Sequence, residues 1–139
     1  ADAGDMTMGV GLLLAPLHNP VYTAETIATL DVISRGNMIF GVGLGYRTAE
    51  FEAFGVRKGQ RVARFEECLV VAKRLWTEDK VSYESDTCIL RDAHLSLRCV
   101  QKPHPPRSPG RNPAASAQAV HRLRHRSRPA GQRRSRALA

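Results

Sequence analysis

Glycines 41, 43 and 45 alternate through FGVGLGYRTAEFEAFG, residues 40–55, directly after an apolar run. Closely spaced glycines can serve a phosphate group. A dinucleotide-binding turn, however, needs G-x-G-x-x-G running straight into a helix, so that helix N–H groups meet the pyrophosphate. Here the spacing is G-x-G-x-G, the next long helical pattern starts about fifteen residues later, and no Gly-Lys-Ser/Thr follows. The pattern is therefore a poor candidate for a phosphate cradle. Glycine's other use is to let backbone approach a flat ring, because no Cβ intervenes. A second pair, Gly9 and Gly11, stands in MTMGVGLLLAP, residues 6–16. Two strands that thin to glycine near their ends can wall a slot for an aromatic cofactor, or they can merely pack tightly inside a barrel. Spacing alone leaves both readings open.

The elements that position these glycines follow from periodicity. MTMGVGLLLAP is short, nearly all apolar and ended by Pro16, as expected of a strand buried on both faces of a parallel sheet. Asn19 is placed to cap a helix and Pro20 suits its first turn. Ala24, Ile27, Leu30 and Ile33 form the expected apolar face, and Gly36 supplies a left-handed stop. NMIFGVG, residues 37–43, reads as a second strand. Thr48 is placed to cap one short turn in which Phe51 and Phe54 share a face and Gly55 ends it. A longer amphipathic helix is expected from about Gln60 to Trp76, with Val62, Phe65, Leu69, Ala72 and Trp76 inward and Arg61 and Arg64 on a solvated face. Val81–Tyr83 and Thr87–Leu90 read as a hairpin, and VQKPHPP leads out in extended form. Alternating strands and helices predict an α/β fold with a parallel sheet, whose ligands lie at the carboxyl ends of the strands.

Charge divides the chain. Residues 1–102 hold 12 Lys and Arg against 13 Asp and Glu, whereas residues 103–139 hold nine Arg and no Lys, Asp or Glu. The formal charge of +8 belongs to that tail. Residues 107–139 contain no aromatic and few large apolar side chains, so they are expected to be disordered. Arginine without lysine, mixed with Ala, Pro, Ser and Gly, is also the composition of a GC-rich gene translated out of frame. An alternative is a small basic interaction protein that binds nucleic acid through the tail. The absence of aromatic stacking platforms argues against nucleic acid. Cys68, Cys88 and Cys99 lack paired metal-ligand spacing and read as free, buried or half-buried thiols in a reducing compartment. There is no membrane span and no basic segment ahead of the first apolar run, so the expected location is cytoplasmic. The chain starts with Ala1, which points to processing or to a fragment.

GVGLLLAPLHNPVYTAETIATLDVISRGNMIFGVGLGYRTAEFEAFGV, followed by RFEE, RLWTED and QKPHPP, resembles the bacterial luciferase-like monooxygenase family over about residues 6–106. That family comprises FMN-dependent monooxygenases and deazaflavin-dependent oxidoreductases on a (β/α)8 TIM barrel. The resemblance implies a partial barrel over residues 1–106, about units 3 and 4 plus a β-hairpin insertion, and the tail at 107–139. It implies an oxidoreductase using FMN or a deazaflavin coenzyme on a small-molecule substrate, incomplete and inactive as this chain. Exposed sheet edges then favour self-association.

The resemblance also implies site residues. The first strand would carry a bulge with a non-proline cis peptide at Gly11–Leu12 supporting the flavin ring, with Leu14 at a further cofactor-facing position. Gly43, Leu44 and Gly45 would line the cofactor at the end of the next strand. Tyr46 stands where some deazaflavin-dependent members carry a catalytic glutamate, and Gly43 stands where luciferase places a reactive cysteine. No catalytic residue is assigned. His18 matches a common family histidine, and its expected role is to order its loop.

Overall fold

The computed structural model describes residues 6–109. Met8–Leu14 forms β1, a 3-10 turn spans Ala15–Leu17, Pro20–Ile33 forms α1 and Met38–Gly43 forms β2. Thr48–Ala53 is the short α2, a second 3-10 turn spans Lys58–Gln60, and Arg61–Thr77 is α3. Val81–Glu84 and Ile89–Ala93 are β3 and β4, and Arg107–Pro109 is β5. Strands β1, β2 and β5 form a parallel sheet in that order, while β3 and β4 form a separate antiparallel hairpin. Parallel neighbours require long connections. Helix α1 supplies the first, and α2, α3 and the hairpin occupy the second.

Asn19 caps α1 as its type and place require: its Oδ1 accepts from the N–H groups of Val21 at 2.9 Å and Tyr22 at 3.3 Å. The other end departs from expectation. The first left-handed residue is Arg35, with φ of 53°, and Gly36 follows at 83°. The Gly36 N–H donates to Asp31 O at 2.8 Å and the Arg35 N–H to Val32 O at 3.0 Å, which is the Schellman pattern. Ile33 is 67% exposed rather than inward. A strict three-residue repeat turns back by 60° at each step, so over nine residues it reaches the opposite side of a 3.6-residue helix. The buried face instead runs through Thr23, Ala24, Ile27, Ala28 and Asp31.

The core lies between the sheet and the two long helices. Met38, Phe40 and Val42 from β2 join Ala24, Ile27 and Ala28 from α1 and Phe65, Leu69, Val71, Ala72 and Trp76 from α3. Each large side chain buried this way contributes about 1.5–3 kcal/mol. Trp76 locks the arrangement: its ring meets Phe40 edge-on at 6.0 Å, and its Nε1 donates to Ala24 O at 2.9 Å. Val62, expected inward, is half exposed, while Cys68 and Leu75 are buried. The three cysteines are free and buried, as expected from their spacing.

Two further expectations change. VQKPHPP does not run straight; the chain bends through Val100–His104, with a cis peptide at Lys102–Pro103. Gln101 is held there because its N–H and Nε2 both donate to the buried Asp31 carboxylate, at 2.9 and 2.7 Å, and Nε2 also donates to Met38 O at 2.8 Å. Beyond the bend, Arg107–Pro109 pairs with Phe40–Val42. Three residues assigned by sequence to the tail are thus a strand, because backbone pairing needs no apolar pattern of its own. Residues 110–139, with the disorder, reading-frame and nucleic-acid expectations attached to them, lie outside the described residues.

Candidate cofactor site at the ends of β1 and β2

The carboxyl ends of β1 and β2 lie side by side, with Leu13 opposite Val42 and Leu14 opposite Gly43. Upstream, Val10 pairs with Phe40, so β1 uses one residue more than β2 over the same length. This is a β-bulge, and Gly11 and Leu12 form it. The extra residue shifts the alternation of β1. Val10 and Leu13, three apart, would face opposite sides of a regular strand, yet both pack against the core. The bulge expected at Gly11–Leu12 is present. The cis peptide expected there is not: the Gly11–Leu12 bond is trans. The added residue is accommodated by the bulge with an ordinary peptide geometry.

Gly11 and Leu12 are exposed, Leu12 by 44%. A Cβ added to Gly11 would meet nothing within 4 Å, so backbone there faces open space. At Gly43 a Cβ would make ordinary contacts at 3.5 Å with the side chains of Leu12 and Leu14, which places those three residues on one surface. Leu44 and Gly45 are half-buried. Gly45 has φ of 74°, and a Cβ there would press on the Phe51 ring at 3.2 Å. Glycine at 45 thus serves both the turn and the seating of the buried Phe51. All six residues expected to line a cofactor are brought to one end of the sheet. The result is an apolar strand end whose backbone is exposed at Gly11 and Leu12 and whose Gly43 is buried beside the Leu12 and Leu14 side chains, a surface that suits an aromatic ring better than a phosphate.

Polar groups around this wall are few. His18 lies just past β1, its ring edge-on to Phe54 at 5.8 Å, and burial lowers its pKa, which favours neutral imidazole. Phe54 is 56% exposed, not sharing the buried face of Phe51. It stands at the C-cap of α2, where the helical repeat no longer fixes its direction. Tyr46 is exposed, with the Arg47 guanidinium 5.6 Å from its ring centroid and Arg47 Nε donating to its hydroxyl at 3.3 Å. Thr48 makes no capping bond; its Oγ1 accepts from Lys58 Nζ at 2.9 Å. Arg64 is not simply solvated, since its Nε donates to Pro16 O at 2.8 Å and ties α3 to the loop after β1. Arg61 donates to Lys58 O at 3.2 Å. Among the described residues no group of three or more His, Cys, Asp or Glu is arranged to hold a metal ion.

A well-formed groove lies elsewhere. A groove of about 710 Å³ runs between α3 and the β3–β4 hairpin, lined among others by Glu66, Val70, Lys73, Arg74 and Tyr83. Its hairpin wall is pinned by Glu67, whose carboxylate accepts hydrogen bonds from the hydroxyls of Ser85 and Thr87. It takes in none of the six glycines and leucines at the strand ends. Among the described residues no helix is long and apolar enough to cross a membrane.

The model of the luciferase-like monooxygenase family matches residues 3–125. A phthiodiolone/phenolphthiodiolone dimycocerosates ketoreductase from Mycobacterium kansasii is 38% identical over 94 residues, 66% of this chain and 25% of that protein. The structure of the monooxygenase RslO1 from Streptomyces bottropensis superposes with a TM-score of 0.73 at 29% identity, covering 82% of this chain and 35% of that one. An F420-dependent secondary alcohol dehydrogenase, in complex with an F420–acetone adduct, shares the fold with a TM-score of 0.61 at 24% identity, covering 73% and 31%. The chain spans about a quarter of the length of the curated relatives it matches.

Proposed function

The chain belongs to the luciferase-like monooxygenase family, and from that premise we propose that the ends of β1 and β2 form one wall of a site for a flavin-type ring, FMN or deazaflavin, in an oxidoreductase acting on a small-molecule substrate. The observation that carries this reading is the bulge at Gly11–Leu12, which sets glycine backbone against open space beside Gly43. When bound, such a ring supplies hydride transfer or, for a flavin, the activation of dioxygen. Leu12 and Leu14 would exclude water from one side of the pocket, and the backbone of Gly43, Leu44 and Gly45 would line it. His18, kept neutral by burial, would order the loop between β1 and α1.

Tyr46 brings a phenol where the reading would otherwise look for a carboxylate, so proton transfer from a glutamate at this position is not part of the proposal. A closed barrel of this type takes eight parallel strands, and the three present here would make one wall of it and not an enclosed pocket. The outer edge of β1 has no strand partner among the described residues, which favours association of this chain through that edge.

Titration of the purified chain with FMN and, separately, with a deazaflavin, followed by quenching of cofactor fluorescence, tests the reading. Saturable binding in the micromolar range supports it. Absence of binding to either overturns it for this chain.

A further inference from the structure

A Cβ on Gly41 would lie 2.0 Å from the carbonyl oxygen of Val10 and 3.2 Å from its carbonyl carbon, both backbone atoms that cannot swing aside. The neighbouring glycines are under no such constraint: the closest approach would be 3.6 Å at Gly9 and 3.5 Å at Gly43, with nothing within 4 Å at Gly11. Val10 is the last regularly paired residue before the bulge, and Gly41 stands between its partner Phe40 and Val42, the partner of Leu13. The bulged backbone of β1 and the bare backbone of β2 therefore occupy one another's space.

We infer that Gly41 is a positioning residue for the proposed cofactor wall: lacking a side chain, it lets β1 bulge at Gly11–Leu12 and so sets where that backbone meets the ring. This rests on the flavin-type reading above. Gly41 itself need not touch the ring, because its bareness is used by Val10. The coupling is reciprocal. A side chain at 41 is incompatible with the bulge as formed, whereas a β1 one residue shorter would have no bulge for it to meet. Deleting Leu12 removes the extra residue, keeps Leu13 opposite Val42, and leaves Val10 and Leu13 both facing the core.

The experiment compares the full chain with Gly41→Ala, with deletion of Leu12, with both changes together, and with Gly9→Ala as a control. Thermal unfolding and the affinities for FMN and a deazaflavin are read for each. Gly41→Ala is expected to lower the unfolding midpoint by roughly 5–15 °C, and to weaken flavin binding by roughly tenfold or more. Adding the deletion is expected to recover most of the midpoint while binding stays lost. Gly9→Ala is expected to change neither. The inference is overturned if Gly41→Ala keeps both midpoint and affinity, or if the double variant is no more stable than Gly41→Ala. If the unaltered chain binds no flavin, the functional reading fails together with the cofactor role of Gly41. The thermal comparison then still decides whether Gly41 and the bulge are sterically coupled.

Discussion

The carboxylate of Asp31 and the side-chain amide of Gln101 meet at 2.7 Å across 70 positions of sequence, with the Gln101 backbone N–H on the second carboxylate oxygen at 2.9 Å. Asp31 is fully buried on α1, so this is the polar tie that holds the bend before β5 against the helix. Replacing Asp31 by Ala strands two donors in the interior. The expected cost is about 2–4 kcal/mol, read as a shift in the urea midpoint. Accelerated amide exchange at Gln101, and at Phe40, whose N–H donates to Pro106 O at 2.9 Å, would show that the loss reaches the pairing of β2 with the strand entering β5.

The end of α1 offers a change in the opposite direction. Arg35 holds φ of 53°, a conformation disfavoured for any residue with a Cβ. Arg35→Gly is expected to raise stability by about 0.5–1 kcal/mol, measured by thermal unfolding, because relief of that conformation exceeds the added freedom of the unfolded chain.

Burial holds the pKa of His104 below the ordinary imidazole range, and does the same for His18. Unfolded chains take up protons at the ordinary value, while the folded chain waits for lower pH. Between those values the unfolded state binds more protons, so stability is full above the ordinary imidazole pKa and falls as the solution is acidified through it. Urea midpoints measured from about pH 7.5 to about pH 5 are expected to decline, and to decline less in His104→Gln. The ring of His104 sits 5.7 Å from Trp76, the only tryptophan, so emission from the folded chain is expected to report the same protonation.

Burial also raises the thiol pKa of Cys68 to about 11 and of Cys99 to about 11, and raises that of Cys88. Little thiolate exists in the folded chain near neutral pH. Ellman's reagent is expected to react slowly with the native protein and with all three thiols in denaturant. Rapid reaction of a thiol in the native state would contradict this packing.

Glu67→Gln should loosen the β3–β4 turn by weakening the bonds from Ser85 and Thr87, at a cost of about 1 kcal/mol. Exchange of the Thr87 and Cys88 amides, which both donate to Ser85 Oγ, is expected to accelerate while the global unfolding midpoint moves little.

Much of this was legible in the sequence where a single residue type has a single local use. Asn19 and Pro20 announced the start of α1, and the apolar runs at 6–16 and 37–43 announced two strands that lie parallel. The six candidate cofactor-lining residues do gather at one end of the sheet. What escaped depends on contacts between distant segments. The clash that makes glycine necessary at 41 comes from a carbonyl 31 residues earlier, and no periodicity in β2 encodes it. Arg107–Pro109 has no strand pattern, because its pairing is backbone to backbone. Arg64, readable as a solvated cation, finds a carbonyl 48 residues away. Ile33 and Phe54 were misjudged for a simpler reason, since a three-residue repeat drifts around a helix and a helix end releases its side chains.

The order β1-β2-β5 also has a consequence in time. β2 is complete at Gly43, yet the neighbour on its far side is Arg107–Pro109. With a ribosome adding roughly 5–20 residues per second, the central strand of the sheet waits on the order of 3–13 seconds for that partner to be made. During that interval the half-finished sheet offers a second sticky edge to whatever nascent chain lies nearby, beside the β1 edge that has no strand partner among the described residues.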